Sequence, residues 1–235
     1  MKRKSGKRIL LFATMLALFM ALFMHGSGAV EAKAATVKLN MTKKTMVIGS
    51  TYKLKVKNTK KTVKWTSSDK KVATVSSTGK VTAKKAGTTI ITAKVGKKKL
   101  KCTITVVTMQ ESYRNSLIKK INTERRKYGY PSFDKDSRLH AAAQKRAKEL
   151  YKKFSHTRPN GYKWTSAISM EYNFKRAAEN IAYDFAKPQQ VVDEWMDKAS
   201  TKAKIISKNY DEIGVGVYLA PDGYLYWCAI FAKEK

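Results

Sequence analysis

IGVGVYLAPDGYLYWCAIF, residues 213–231, reads as two strands joined by a hairpin turn. Ala220-Pro221-Asp222-Gly223 are turn formers, and the runs beside them are rich in β-branched and aromatic residues. The second run is apolar on both faces. Leu225, Trp227, Ala229 and Phe231 point one way, and Tyr226, Cys228 and Ile230 the other. A strand apolar on both faces needs cover on both sides. Gly214 and Gly216 leave one face of the first strand bare, where a neighbour can come close. The stretch therefore predicts a small antiparallel sheet with helices on both faces.

Segments upstream supply that cover. Tyr113, Leu117, Ile121 and Glu124 recur at helical spacing over 110–128, and Gly129 ends the run. After a turn at 131–136, Leu139, Ala143, Arg146 with Ala147, Leu150 and Phe154 mark a second helix. His140 falls off that stripe, aligned with Gln144 and Lys148, and reads as facing solvent. Pro188 starts a third helix carrying Val191, Val192, Trp195 and Met196.

The first half has a different period. Tyr52, Leu54 and Val56 alternate with lysines, as do Ile91, Ala93 and Val95 with Thr92 and Lys94. Period two with one wet face means strands. Turn signals at Gly49-Ser50, Ser67-Ser68-Asp69, Ala86-Gly87 and Gly96 divide them into an all-β sandwich, with Trp65 as its large core residue.

Charge divides the chain in the same place. The net charge is +32. Residues 36–108 hold 19 lysines against one acid, Asp69, whereas 109–235 hold 24 basic and 15 acidic residues. Such a field seeks polyanions. With no nucleophile, no His and one carboxylate, the first half is no catalyst.

Residues 1–34 have the order of a secretory signal peptide: Lys2, Arg3, Lys4, Lys7 and Arg8, an apolar run over 9–24, then Ala32-Lys33-Ala34. An uncleaved anchor is the alternative. No second apolar run of that kind follows, so no integral span is expected after cleavage. Two cysteines, Cys102 and Cys228, are too few for a disulfide framework; Cys102 alternates with core residues and reads as a small buried hydrophobe.

SHTRPNG (155–161), AENIA (178–182), Trp195 and DEIGVGVY (211–218) follow in one order. Order and spacing resemble the bacterial branch of the superfamily of cysteine-rich secretory proteins, antigen 5 and plant pathogenesis-related proteins, the CAP or SCP-like domain. Asn122 and Arg125 match the N-x-x-R of that family's first helix. The resemblance implies a three-layer α-β-α sandwich over 109–235. Through VKWTSSD (63–69) and VATVSSTGKVTAKKAGTTIITAK (72–94), residues 36–108 resemble the bacterial Ig-like group 2 domains, implying an immunoglobulin-like sandwich used as a spacer, adhesive or carbohydrate-associated unit.

The SCP-like resemblance implies a cleft with a tetrad of two His and two Glu. His156 matches the first His. Glu179 matches the Glu of a G-E-N pattern, with Ala178 in place of Gly. The second His position falls on Thr201 and the second Glu position on Lys198. Zinc sites usually take three or more protein donors, so no metal and no cofactor are expected. No nucleophile elbow and no H-E-x-x-H occur. His156 and Glu179 remain as the candidate catalytic pair, suited to general acid–base work or to pinning a loop to a helix. The pin is favoured, because half the tetrad is missing and a buried carboxylate in an Ala/Ile setting must find a donor, for which His156 is the candidate.

The expected protein is secreted and associated with the cell wall, and it is not an enzyme. Its basic sandwich docks on anionic wall polymer or peptidoglycan. Its SCP-like cleft, formed by His156, Glu179, Asn180, Trp195, Lys198 and Thr201, binds a small hydrophobic ligand or a protein partner. Specific nucleic acid is not expected. Two alternatives follow from the resemblance: an extracellular hydrolase or protease, and a lipid or sterol carrier using an apolar groove near Trp164, Phe174 and Trp195.

Overall fold

The computed structural model describes residues 35–235; the signal peptide expected over 1–34 lies outside them. Nine strands build the first half: β1 Lys38–Leu39, β2 Lys43–Val47, β3 Thr51–Lys53, β4 Val56–Lys57, β5 Lys64–Ser67, β6 Ala73–Val75, β7 Lys80–Ala83, β8 Gly87–Val95 and β9 Lys98–Val107. They form a four-stranded sheet in the order β2-β9-β8-β5, a three-stranded sheet β3-β7-β6, and the pair β1-β4. Inward residues at every second position bury Leu54, Val81, Ile91, Cys102 and Ile104 in one core. Trp65 is only partly buried against this core. Its ring lies over Gly79, where a Cβ would come within 2.9 Å of it. The aliphatic residues fill the centre, and the indole closes the sandwich beside an edge strand.

Thr108 alone separates β9 from α1, Met109–Lys127. Its hydroxyl accepts from the Glu111 amide at 3.1 Å and caps the helix. The rest follows as β10 Asp134–Lys135, α2 Ser137–Lys152, β11 Phe174–Tyr183, α3 Pro188–Asp197, α4 Ala199–Ile205, β12 Glu212–Leu219 and β13 Leu225–Glu234. The sheet order is β10-β12-β13-β11. β10 pairs with β12 in parallel, so the sheet is mixed rather than purely antiparallel. Strand β11 and helix α4 have no counterpart in the periodicity of the sequence. Among the described residues no helix is long and apolar enough to cross a membrane.

The two faces of β13 feed two cores. Trp227 and Phe231 pack with Leu117 and Ile121 of α1, Val191 and Trp195 of α3, and Ile205 of α4. Cys228 and Ile230 pack with Leu139, Ala143, Ala147 and Leu150 of α2. Gly214 and Gly216 let α2 approach this second face. A Cβ on either would lie 2.1 Å from the backbone of Leu139 or Ala143.

That close approach overturns the solvent-facing reading of His140. Beyond its short pairing with β10, strand β12 has an open outer edge. His140 Nδ1 lies 2.6 Å from the Val215 carbonyl, and Gln144 both donates to the Val217 carbonyl at 3.0 Å and accepts from its amide at 3.2 Å. The two side chains serve the strand's exposed polar groups as a neighbouring strand would. Arg114 donates to His140 Nε2, which makes Nδ1 the protonated nitrogen.

The N-x-x-R pair also has a structural role. Asn122 exchanges two hydrogen bonds with the Phe133 backbone. Arg125 is buried, donates to the carbonyls of Pro131, Ile205 and Ser207, and stacks on the Phe133 ring. Together they tie α1 to the chain just before β10 and to the end of α4.

Candidate functional site: a buried Arg–Glu–His network beside an edge cleft

Arg146 occupies the apolar stripe of α2, so its long side chain is carried into the interior and is fully buried. Alternation along β11 turns Glu179 toward α2 and its neighbours Ala178 and Asn180 the other way. The two charges meet there. Arg146 Nε donates to Glu179 Oε1 at 2.8 Å, and Nη2 lies 3.5 Å from Oε2. Arg146 also donates to Glu149 at 3.0 Å and to the Ser155 carbonyl at 2.6 Å. Burial works against the guanidinium charge, but the bonds and charge of Glu179 outweigh it and raise the Arg146 pKa.

His156 adds a third donor. Its Nδ1 lies 2.7 Å from Glu179 Oε2. The ring is 54% exposed while Glu179 is fully buried. The Cys228 thiol donates to Oε1 at 3.5 Å. Burial, then the carboxylate charge, push that thiol's pKa well above its usual range, so it stays protonated. Both Glu179 oxygens therefore carry donors, and His156 offers solvent only Nε2.

A second ion pair holds the loop that carries His156. Arg158 forks onto Glu149, with its shortest bond 2.7 Å, and donates to Ser166. Burial tends to raise the Glu149 pKa, but bonds from Arg158 and Arg146 win and hold it below the ordinary value. The turn itself closes through Gly161, whose φ of +85° favours glycine.

The six expected cleft residues do not form one site. Glu179 and Asn180 are adjacent on β11 but face opposite cores. Asn180 donates to the Thr201 carbonyl at 3.1 Å, and its Oδ1 is buried with no hydrogen-bond partner among the described residues. Trp195, Lys198 and Thr201 do come together, lining a cavity of about 370 Å³ at the β11 edge with Phe154, Ile181 and Tyr183. Trp195 Nε1 donates to the Ile181 carbonyl at 3.2 Å, Thr201 Oγ1 donates to the Trp195 carbonyl at 2.7 Å, and Lys198 pairs with Glu194. Trp164 and Phe174 pack against the α2-side core and Trp195 belongs to the other, so the single apolar groove expected around these three is absent.

Sequence reasoning missed Arg146, Glu149, Arg158 and Cys228. One signal was available: an arginine on an apolar helical stripe demands a buried anion. The same reasoning put Glu179 between a loop and a helix; the residue sits on a strand and is held chiefly by Arg146. Among the described residues no cluster of three or more His, Cys, Asp and Glu gathers in metal-binding arrangement.

Residues 118–231 match the family described as Cysteine-rich secretory protein family, and residues 33–106 match the Bacterial Ig-like domain, group 2. The chain joins a bacterial Ig-like domain to an SCP-like domain of the CAP superfamily. The uncharacterised protein YkwD of Bacillus subtilis is 30% identical over 108 residues, covering 45% of this chain and 42% of YkwD. The chain thus matches less than half of that relative's length. Among solved structures, an outer surface protein of Borrelia burgdorferi aligns at TM-score 0.49 and 23% identity, over 53% of this chain and 95% of that one. An extracellular protein containing a SCP domain from Bacillus anthracis aligns at TM-score 0.49 and 19% identity, over 54% and 42%.

Proposed function

We propose that this is a secreted, wall-associated protein whose Ig-like half docks on anionic surface polymer and whose SCP-like half binds a ligand without catalysing a reaction. The functional halves are 36–108 and 109–235, the second a three-layer α-β-α sandwich with cover on both sheet faces. The observation that carries the reading is the unpaired charge of the first half. Of its 19 lysines, 18 are exposed, and none makes an ion pair among the described residues. Net positive charge of this kind drives association with polyanions.

The saturated Glu179 supports the non-catalytic part. A general base needs a lone pair directed at substrate; both carboxylate oxygens already accept from Arg146, His156 and Cys228, so only the solvent-facing Nε2 of His156 is left for that role. The edge cavity, with Phe154, Ile181, Tyr183 and Trp195 around it, supports a small amphipathic ligand. The deciding experiment is co-sedimentation of the full chain with purified cell walls at graded salt, run beside an assay for wall or peptide hydrolysis. Binding that weakens steeply with salt, with no hydrolysis above that of His156→Ala, is the expected result. Hydrolysis that the His156 substitution abolishes would restore the hydrolase reading.

A further inference from the structure

The outer face of the four-stranded sheet is a grid of lysine and threonine. Register places Lys64, Lys94 and Lys99 abreast on β5, β8 and β9. The next row is Thr66, Thr92 and Lys101, and the one after sets Ile90 and Thr103 beside Lys43 of β2. The fourth row is Thr88, Thr105 and Thr45, and the face ends on the pair Val47 and Val107. Alternate residues of these strands, Ile91, Ala93, Cys102 and Ile104, point into the core, so the grid faces out.

Three lysines directly abreast on neighbouring strands repel one another, and sheets ordinarily set opposite charges in such places. Here the only carboxylate of residues 36–108, Asp69, is engaged with the Lys71 amide. Nothing in the fold requires the repulsion, because the core lies on the other face. An added polyanion would relieve it.

The geometry points to this face as the docking surface for a linear phosphodiester polymer of the wall type, a polyol phosphate. The inference rests on the docking reading above. Within a row the residues lie about 4.8 Å apart across strands, and successive rows lie about 6.8 Å apart along them. Ammonium groups and threonine hydroxyls are the donors a phosphate oxygen accepts. The face carries no aromatic side chain on which bases could stack, which disfavours single-stranded nucleic acid. Ile90 is the one exposed apolar side chain of these four rows, and Val47 and Val107 beyond them are half-buried and buried, too little for a lipid interface.

The test compares two charge-matched variants of the full chain against purified poly(glycerol phosphate) teichoic acid, titrated between about 50 and 200 mM salt. One is Lys64→Gln/Lys94→Gln/Lys99→Gln. The other is Lys53→Gln/Lys57→Gln/Lys80→Gln, which removes the same charge from the opposite sheet and β4. The first should weaken binding at least tenfold more than the second and reduce the log–log salt slope by about two. Its thermal transition should not fall, because like charges leave. Equal weakening by both would overturn the face while leaving charge-driven docking standing. No binding by the unsubstituted chain, or binding indifferent to salt, would overturn both. Single-stranded DNA or anionic vesicles bound as tightly as teichoic acid, with the same loss in the first variant, would overturn the choice of polymer.

Discussion

Glu179→Gln removes the negative charge facing a guanidinium that has no access to water, and keeps the shape and one acceptor. Unpairing a buried ion typically costs about 3–5 kcal/mol. Arg146 keeps Glu149 and the Ser155 carbonyl as partners, which sets the expectation near the lower end, about 3 kcal/mol. Glu179→Ala also leaves the buried Cys228 thiol without its acceptor and opens a void, so about 5 kcal/mol is expected. These values exceed what a His156–Glu179 bond alone would give, because that ring is half in water and can find other partners. Replacing both Arg146 and Glu179 by leucine removes the two charges together and should recover stability to within about 2 kcal/mol of the parent. Urea unfolding in a Trp65→Phe background reports the second half alone, since the remaining tryptophans, Trp164, Trp195 and Trp227, all lie there. The corresponding fall in Tm for Glu179→Gln is roughly 10 °C. A loss below about 1 kcal/mol, or single-site losses that simply add in the double variant, would show that Arg146 and Glu179 are not energetically coupled.

Three further outcomes are expected. Gly214→Ala and Gly216→Ala should each destabilise the second half by about 3 kcal/mol or more, because the new methyl meets helix backbone that cannot rotate away; near-wild-type thermal melts would refute the close approach of α2. Burial, then the Arg114 charge, depress the His140 pKa despite its bond to Val215, while Glu111 opposes them. The unfolded chain then takes up the proton first, so stability is full above the ordinary value of 6.5 and declines as pH falls below it; melts of His140→Gln should show a shallower decline than the parent between pH 7.5 and 5.5. After dialysis the protein should retain no stoichiometric zinc or copper, since Glu179 is engaged by Arg146 and the other tetrad positions are Thr201 and Lys198; one tightly held metal per chain by elemental analysis would refute this.

The sequence by itself settled what depends on local periodicity and solvent contact. Alternation over 37–107 and the two-sided apolarity of β13 set strands and the need for cover on both faces, because a buried surface must be apolar wherever it is made. Gly214 and Gly216 announced a close neighbour. Ordered motifs then identified both halves. The lysine grid was half legible: composition showed the charge, but only strand register set Lys64, Lys94 and Lys99 abreast.

Tertiary structure decided everything that depends on which residues meet across the chain. His140 looked solvent-facing by helical position, yet it caps the open edge of β12, because α2 lies so close to the glycines that its flank reaches the strand's carbonyls. Glu179 invited His156 as its partner and has it, but its buried partner is Arg146 of α2, since a strand and a helix far apart in sequence turn these two residues into the same dry interface. Asn180, next in sequence to Glu179, serves the other core. Neighbouring residues on a strand point apart, and no one-dimensional pattern says which of two buried faces will carry the charge until the elements that cover them are in place.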